Sequence, residues 1–208
     1  DRLVGGRGRL AAGVIPPVLD GADANRRPYA HDVTRAKQLL TEAGFPNGID
    51  VELWHSDNET FARVAQSIQS YLGEAGIRAK LVQREAAAMR AAARNGETDM
   101  VLKDWWADYP DAENFLYPLL HTANRGIGGN VSFYSNPAFD RLVDQSRVEL
   151  DSARRVKLYR SADSIAFTDA PMAFLFFYNE LYAVQPWVTG FQVPVIFNGQ
   201  RWTQAELK

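Results

Sequence analysis

Cysteine is absent from the 208 residues, which excludes disulfides, thiolate metal sites and a cysteine nucleophile. No apolar run reaches the roughly 18 residues that a membrane span requires. The opening "DRLVGGRGRLAAGVIPP" lacks the basic start, apolar middle and cleavage site of a signal peptide. A cationic field is missing too: 23 Lys and Arg stand against 25 Asp and Glu, scattered rather than clustered, which argues against a nucleic-acid or anionic-lipid partner. Histidine is scarce, and His31, His55 and His121 form neither HxxxH nor HExxH, so no protein-built zinc site is expected. "GGRGR" and "GIGG" do not stand between a strand and a helix as a phosphate loop must, and no GxSxG elbow occurs.

What remains is a chain with 46% hydrophobic and 23% charged residues, an ordinary composition for a packed globular protein. Residues 1–31 hold five Gly and three Pro with little periodicity and read as an irregular arm. From Asp32 the pattern sharpens. Asp32 can cap a helix with Ala36, Leu39, Leu40 and Ala43 as its stripe, stopped by Gly44 and Pro46. "IDVELW" (49–54) alternates as a strand does. Asn58 to Ala75 returns to helical spacing, with Gly76 as the C-terminal cap. "IRAKLVQR" alternates again, "EAAAMRAAARNG" is a helix stopped at Gly96, and "DMVLKDWW" is the third strand candidate.

Such alternation predicts an α/β layer with right-handed crossovers, whose ligands sit beyond the carboxyl ends of its strands. Downstream, "NPAFDRLVDQSRVEL" and "DSARRVKLYRSADSIAFTDA" predict a helical hairpin, the second helix capped at Asp151 or Ser152 and broken at Pro171. "MAFLFFYNELYAV" predicts a buried strand and a turn at Asn179 and Glu180.

The stretch "DWWADYPDAENF" (104–115) concentrates the chemistry at a strand's carboxyl end. Asp104, Asp108, Asp111 and Glu113 could supply a general acid and base or the oxygen ligands of a hard cation. Asp111, however, is placed to cap the helix "AENFLYPLL". Consecutive Trp105 and Trp106 would face opposite sides of a strand, one into the core and the other toward ligand. An aromatic surface beside an anion suits a cationic or amine-bearing ligand, although both rings could simply pack. His55 and Ser56 open the loop "HSDNE" at another strand's carboxyl end, where a histidine is ordinarily solvated.

Six phrases in one order, "AKQLLTEAGFPNG", "IQSYLGEAGIRAKL", "WWADYPDAENFL", "FYSNPAFDRLVDQ", "RVKLYRSADSIAFTDAP" and "VTGFQVP", resemble the C-terminal part of the family 5 extracellular solute-binding proteins. These are the dipeptide, oligopeptide and nickel receptors of ABC importers. The resemblance implies one lobe, the C-terminal one, of a type II periplasmic-binding-protein fold. It divides the chain into an arm (1–31), the α/β lobe (32–185) and a return segment toward the first lobe (186–208). It also implies a monomeric, extracytoplasmic, non-enzymatic receptor without cofactor, in the periplasm or lipid-anchored at the cell surface. Such a receptor captures a solute between two lobes that close on a hinge, then delivers it to membrane permease subunits.

In peptide-binding relatives the aspartate of W-x-x-D-Y pairs with the ligand's α-ammonium; by position that is Asp108, with Trp105 and Tyr109 as neighbours. Two departures stand out. Dipeptide receptors carry an arginine in the loop after the strand matching "VELW", whereas "HSDNE" has none. The residue before Trp105, usually small, is Asp104, whose charge would favour a cationic or metal-complexed ligand. Nickel-chelate, sugar and opine-like ligands therefore stay open, as does a carboxylate hydrolase using Asp108 with Asp111 or Asp104.

Overall fold

The computed structural model describes residues 5–193 and 204–207. Its organising element is a three-stranded parallel sheet. The central strand β2 (Ile49–Ser56) pairs along its whole length with β3 (Ile77–Arg84) and near its end with β4 (Met100–Val101). Helices α1 (Val33–Glu42), α2 (Glu59–Ala75) and α3 (Ala86–Arg94) alternate with these strands in sequence, as the periodicity predicts.

Local chemistry sets the helix ends. Asp32 accepts the N–H of Arg35, Asn58 accepts those of Thr60 and Phe61, and Glu85 accepts those of Ala87 and Ala88, so each start satisfies donors that have no intrahelical partner. Helix α2 ends on Gly76 at φ 94°, ψ 12°. That left-handed cap is open to glycine without a Cβ penalty, and it turns the chain directly into β3. Leu53, Val64, Ala65, Ala79 and Leu102 form the core between this sheet and α2.

A second, larger core is helical. It lies among α4 (Glu113–Leu120), α5 (Pro137–Val148) and α6 (Ser152–Asp169), where Leu116, Leu120, Phe139, Val143, Ala162 and Ala166 are all fully buried. The α5–α6 hairpin matches the prediction, including Asp151 as the cap of α6; Asn136 caps α5.

Three expectations need correction. The Gly- and Pro-rich start is irregular but packed: Ala11, Val14 and Ile15 are buried, the last two within the helical core. It also contributes strand β1 (Gly8–Leu10), which pairs antiparallel with β5 (Phe176–Tyr178). The "MAFLFFY" strand is correspondingly only three residues long and half-buried, because it belongs to this two-stranded ribbon rather than to the central sheet. The third parallel strand is two residues long, since the chain leaves β2 after Leu102 donates to the Trp54 carbonyl at 2.8 Å. Short strands β6 (Val188–Thr189) and β7 (Glu206–Leu207) pair antiparallel within the segment expected to return toward a first lobe. Residues 194–203 of that segment lie outside the described residues.

Candidate ligand-binding site

Because β2 and β4 run parallel, their carboxyl ends lie at one edge of the sheet, and residues 102–113 leave β4 there to reach α4. Asn114, in the first turn of α4 and buried, organises the crossing. Its side-chain oxygen accepts the backbone N–H of Asp108 at 3.0 Å and the Trp105 indole N–H at 3.3 Å, and its carbonyl accepts the same indole at 2.9 Å. One buried amide thus fixes both the turn and the ring, and in doing so satisfies its own acceptors.

Trp105 is consequently half-buried and packs against the helical core, whereas Trp106 is 40% exposed. The inward and outward division expected of the pair is observed, but not through strand alternation, since neither ring lies in a strand. Asp104 accepts the Trp106 indole N–H at 3.2 Å and so orients the exposed ring. Tyr109 is 45% exposed and donates its hydroxyl to Glu113. Burial and that neighbouring carboxylate push its phenol up from the usual range. Asp108 is exposed, held by its backbone, and its carboxylate accepts no hydrogen bond from a described residue.

Asp111 serves the capping role, though one residue ahead of the formal cap Ala112: it accepts the N–H of Glu113 at 2.9 Å. It also accepts the Tyr159 hydroxyl at 2.6 Å and lies 3.7 Å from Arg155, tying the start of α4 to α6. Being so engaged, it is poorly placed for acid–base chemistry. Two surface hollows are lined by other residues: one by Gln145, Glu149 and Lys157, the other by Tyr29, Phe167 and Phe174. Among the described residues no group of three or more His, Asp or Glu could hold a metal ion.

His55 and Ser56 differ from the expected solvated loop. Both belong to β2, at 4% and 7% exposure, and the His55 ring nitrogen Nδ1 contacts the Ser56 carbonyl at 2.7 Å. The central strand keeps its pairing with β3 as far as Ser56 opposite Arg84, two residues beyond the apolar alternation that marks a strand in sequence.

Two residues at this edge escaped sequence reasoning. Asn114 reads as an ordinary first-turn polar residue; only its burial reveals the clamp. Lys103 interrupts an apolar run, which was a usable signal. Its ammonium lies over the Trp105 ring, 5.2 Å from the centroid, and donates to the Gly129 carbonyl at 2.9 Å. Burial, reinforced by the positive charge of Arg94 and opposed by Asp104, pushes its pKa down to about 8. A side chain at Gly129 would force a shift here: a Cβ would stand 2.9 Å from the Pro118 carbonyl oxygen and 3.2 Å from the Trp105 ring.

A parallel sheet with an aromatic and acidic loop beyond its strand ends suits a ligand-binding lobe, and solved periplasmic binding proteins share the fold. The dipeptide-binding protein of Pseudoalteromonas sp. SM9913, solved in complex with Met-Leu, superimposes with a TM-score of 0.83 at 27% identity, covering 99% of this chain and 41% of that one. The fold is therefore that of one lobe of the periplasmic binding protein class.

Sequence comparison gives the family. The description "Bacterial extracellular solute-binding proteins, family 5 Middle" matches residues 1–126, and the chain belongs to that family. Similar proteins include the Heme-binding protein A of Haemophilus influenzae, 32% identical over 80% of this chain and 31% of its own length. The Di/tripeptide-binding protein 2 of Pseudomonas aeruginosa is 36% identical over 81% and 32%. The chain thus spans about a third of the length of the curated relatives it matches.

Proposed function

We propose that this chain is the C-terminal lobe of a two-lobed receptor for an ABC importer, and that the receptor captures a peptide or another amine-bearing solute. Asp108 receives the solute's ammonium group, Trp106 and Tyr109 form the aromatic wall, Trp105 backs the site, and Asp104 sets the angle of Trp106. His55 and Ser56, buried at the carboxyl end of β2, support the strand end beside which the site forms. Residues 1–31 lead into the lobe, 32–185 form it and 186–208 return toward the first lobe. The receptor acts as a monomer outside the cytoplasm, hands its cargo to membrane permease subunits, and uses neither cofactor, nucleic acid nor catalysis.

The observation that carries this reading is Asp108 itself. An exposed carboxylate, fixed through its backbone by a buried amide and without a hydrogen-bond partner among the described residues, beside exposed aromatic side chains, suits a charge-assisted bond to an ammonium group. The di/tripeptide-binding relative and the structural neighbour solved with Met-Leu support a peptide as the ligand class. Affinity in such a receptor comes largely from enclosure when the lobes close, so the single lobe should bind weakly.

A second reading, a receptor for a non-peptide solute such as a nickel chelate or an opine, is favoured by one feature: residues 55–59 supply no arginine to a ligand carboxylate. Thermal-shift screening of the two-lobed receptor separates the two readings, because a ligand that binds only the native state raises stability by mass action. Shifts with dipeptides bearing a free amino terminus, absent for their N-acetyl forms, support the peptide reading. Shifts confined to amine-free solutes overturn it.

A further inference from the structure

The cation at the β4 exit has no part in the reading above. Lys103 is half-buried between the Trp105 ring and the loop at Gly129, and of its three N–H donors one is taken by the Gly129 carbonyl. Among the described residues no carboxylate forms an ion pair with it; Asp104 acts on it only through its field, and Arg94 adds further positive charge. Removing an ammonium from water without a counter-ion is unfavourable. Lys103 therefore stands without an ion-pair partner among the described residues, a few positions along the chain from Asp108, whose carboxylate accepts no hydrogen bond from a described residue.

The same scaffold fixes both charges. The Lys103 ammonium lies over the Trp105 ring, the Trp105 indole donates to Asn114, and Asn114 accepts the Asp108 N–H. We propose that Lys103 is a specificity-determining residue that binds an anionic group of the solute, the carboxylate in the case of a peptide, while Asp108 binds the ammonium. This takes the place of the cation missing from residues 55–59, and it rests on the reading of the site as an amine anchor. The recognised class is then a zwitterion, with both charges met at the exit of β4.

The test measures dissociation constants of the two-lobed receptor by isothermal titration calorimetry, with Met-Leu and its C-terminal amide as probes. The parent protein should prefer the free acid by about tenfold to a hundredfold, as a charge-assisted bond implies. Lys103→Met should reduce that preference to within about twofold, chiefly by weakening the acid, with the amide nearly unchanged. If Lys103 only props the Gly129 loop, Lys103→Met weakens acid and amide alike; that result overturns the inference and leaves the Asp108 reading intact. An equal affinity of the parent protein for both probes also overturns it. Failure of the folded parent to bind either probe overturns the peptide reading and the inference with it.

Discussion

Arg26 and Asp163 form a buried ion pair away from the carboxyl edge of the sheet, and their removal has a calculable effect. Asp163, on α6, is 2% exposed; one oxygen accepts the Val14 N–H at 2.8 Å and the other pairs with the guanidinium of Arg26. Arg26 also donates to the Ala12 carbonyl at 3.2 Å and lies over the Phe167 ring, 5.1 Å from its centroid. This pair fastens the irregular start of the chain to the helical core. Arg26→Met keeps the bulk over Phe167 but leaves a buried carboxylate without its counter-charge, which costs about 3–5 kcal/mol. Arg26→Met with Asp163→Leu removes both charges and should recover to within about 2 kcal/mol of the parent chain.

The pH dependence carries a sign. Burial holds the Asp163 carboxyl above the usual range, with Arg26 and the Val14 N–H drawing it back, and deletion of Arg26 raises it further. A carboxyl whose folded pKa exceeds its unfolded value favours folding below the unfolded pKa and loses that contribution as pH rises through the folded one. The deficit of Arg26→Met relative to the parent should therefore shrink between pH 7 and pH 4.5. Urea unfolding followed by circular dichroism at both pH values measures it. A deficit below about 1 kcal/mol at pH 7, or one that does not change on acidification, refutes the claim that an uncompensated buried charge is the cause.

Lys103 allows a second linkage measurement. With its folded pKa near 8 against 10.5 for the free amine, the unfolded chain holds the extra proton between those values, so parent stability rises with pH across that window. Each unit of pKa corresponds to about 1.4 kcal/mol, so Lys103→Met, less the bond to Gly129, should stabilise the chain by about 1–2 kcal/mol at pH 7. That advantage should vanish by about pH 10; a Lys103→Met chain less stable than the parent at pH 7 contradicts the burial argument. Asn114→Ala removes the side-chain acceptor for the Asp108 N–H and the Trp105 indole. It should cost about 1–3 kcal/mol in urea unfolding and weaken dipeptide binding more than a matched surface substitution such as Asn95→Ala.

Much of this was legible in sequence wherever the deciding interactions are local. Asp32, Asn58 and Asp151 cap the helices they precede, and Gly76 ends α2, because a cap is set within a few residues of itself. The pairing of β1 with β5 was not legible, since Gly8 opposite Tyr178 is a contact between distant segments that leaves no periodic mark. His55 was misread because strand pairing continued past the apolar alternation that identifies a strand. At the carboxyl edge of the sheet, Asp108 could be singled out from the strand–turn–helix order and its motif. What fixes it, the buried amide of Asn114, became visible only once α4 folded back against Trp105. Asp104 acquired its role in the same way, through a bond to the ring two residues on.

The central claim is that Asp108 anchors an amino terminus, and the affinity of the two-lobed receptor for Met-Leu before and after Asp108→Asn tests it most directly. Loss of a charge-assisted bond predicts a decrease of about tenfold to a hundredfold, with N-acetyl-Met-Leu binding as weakly to the parent as Met-Leu does to the variant. Unchanged affinity for Met-Leu in a folded Asp108→Asn receptor contradicts the account.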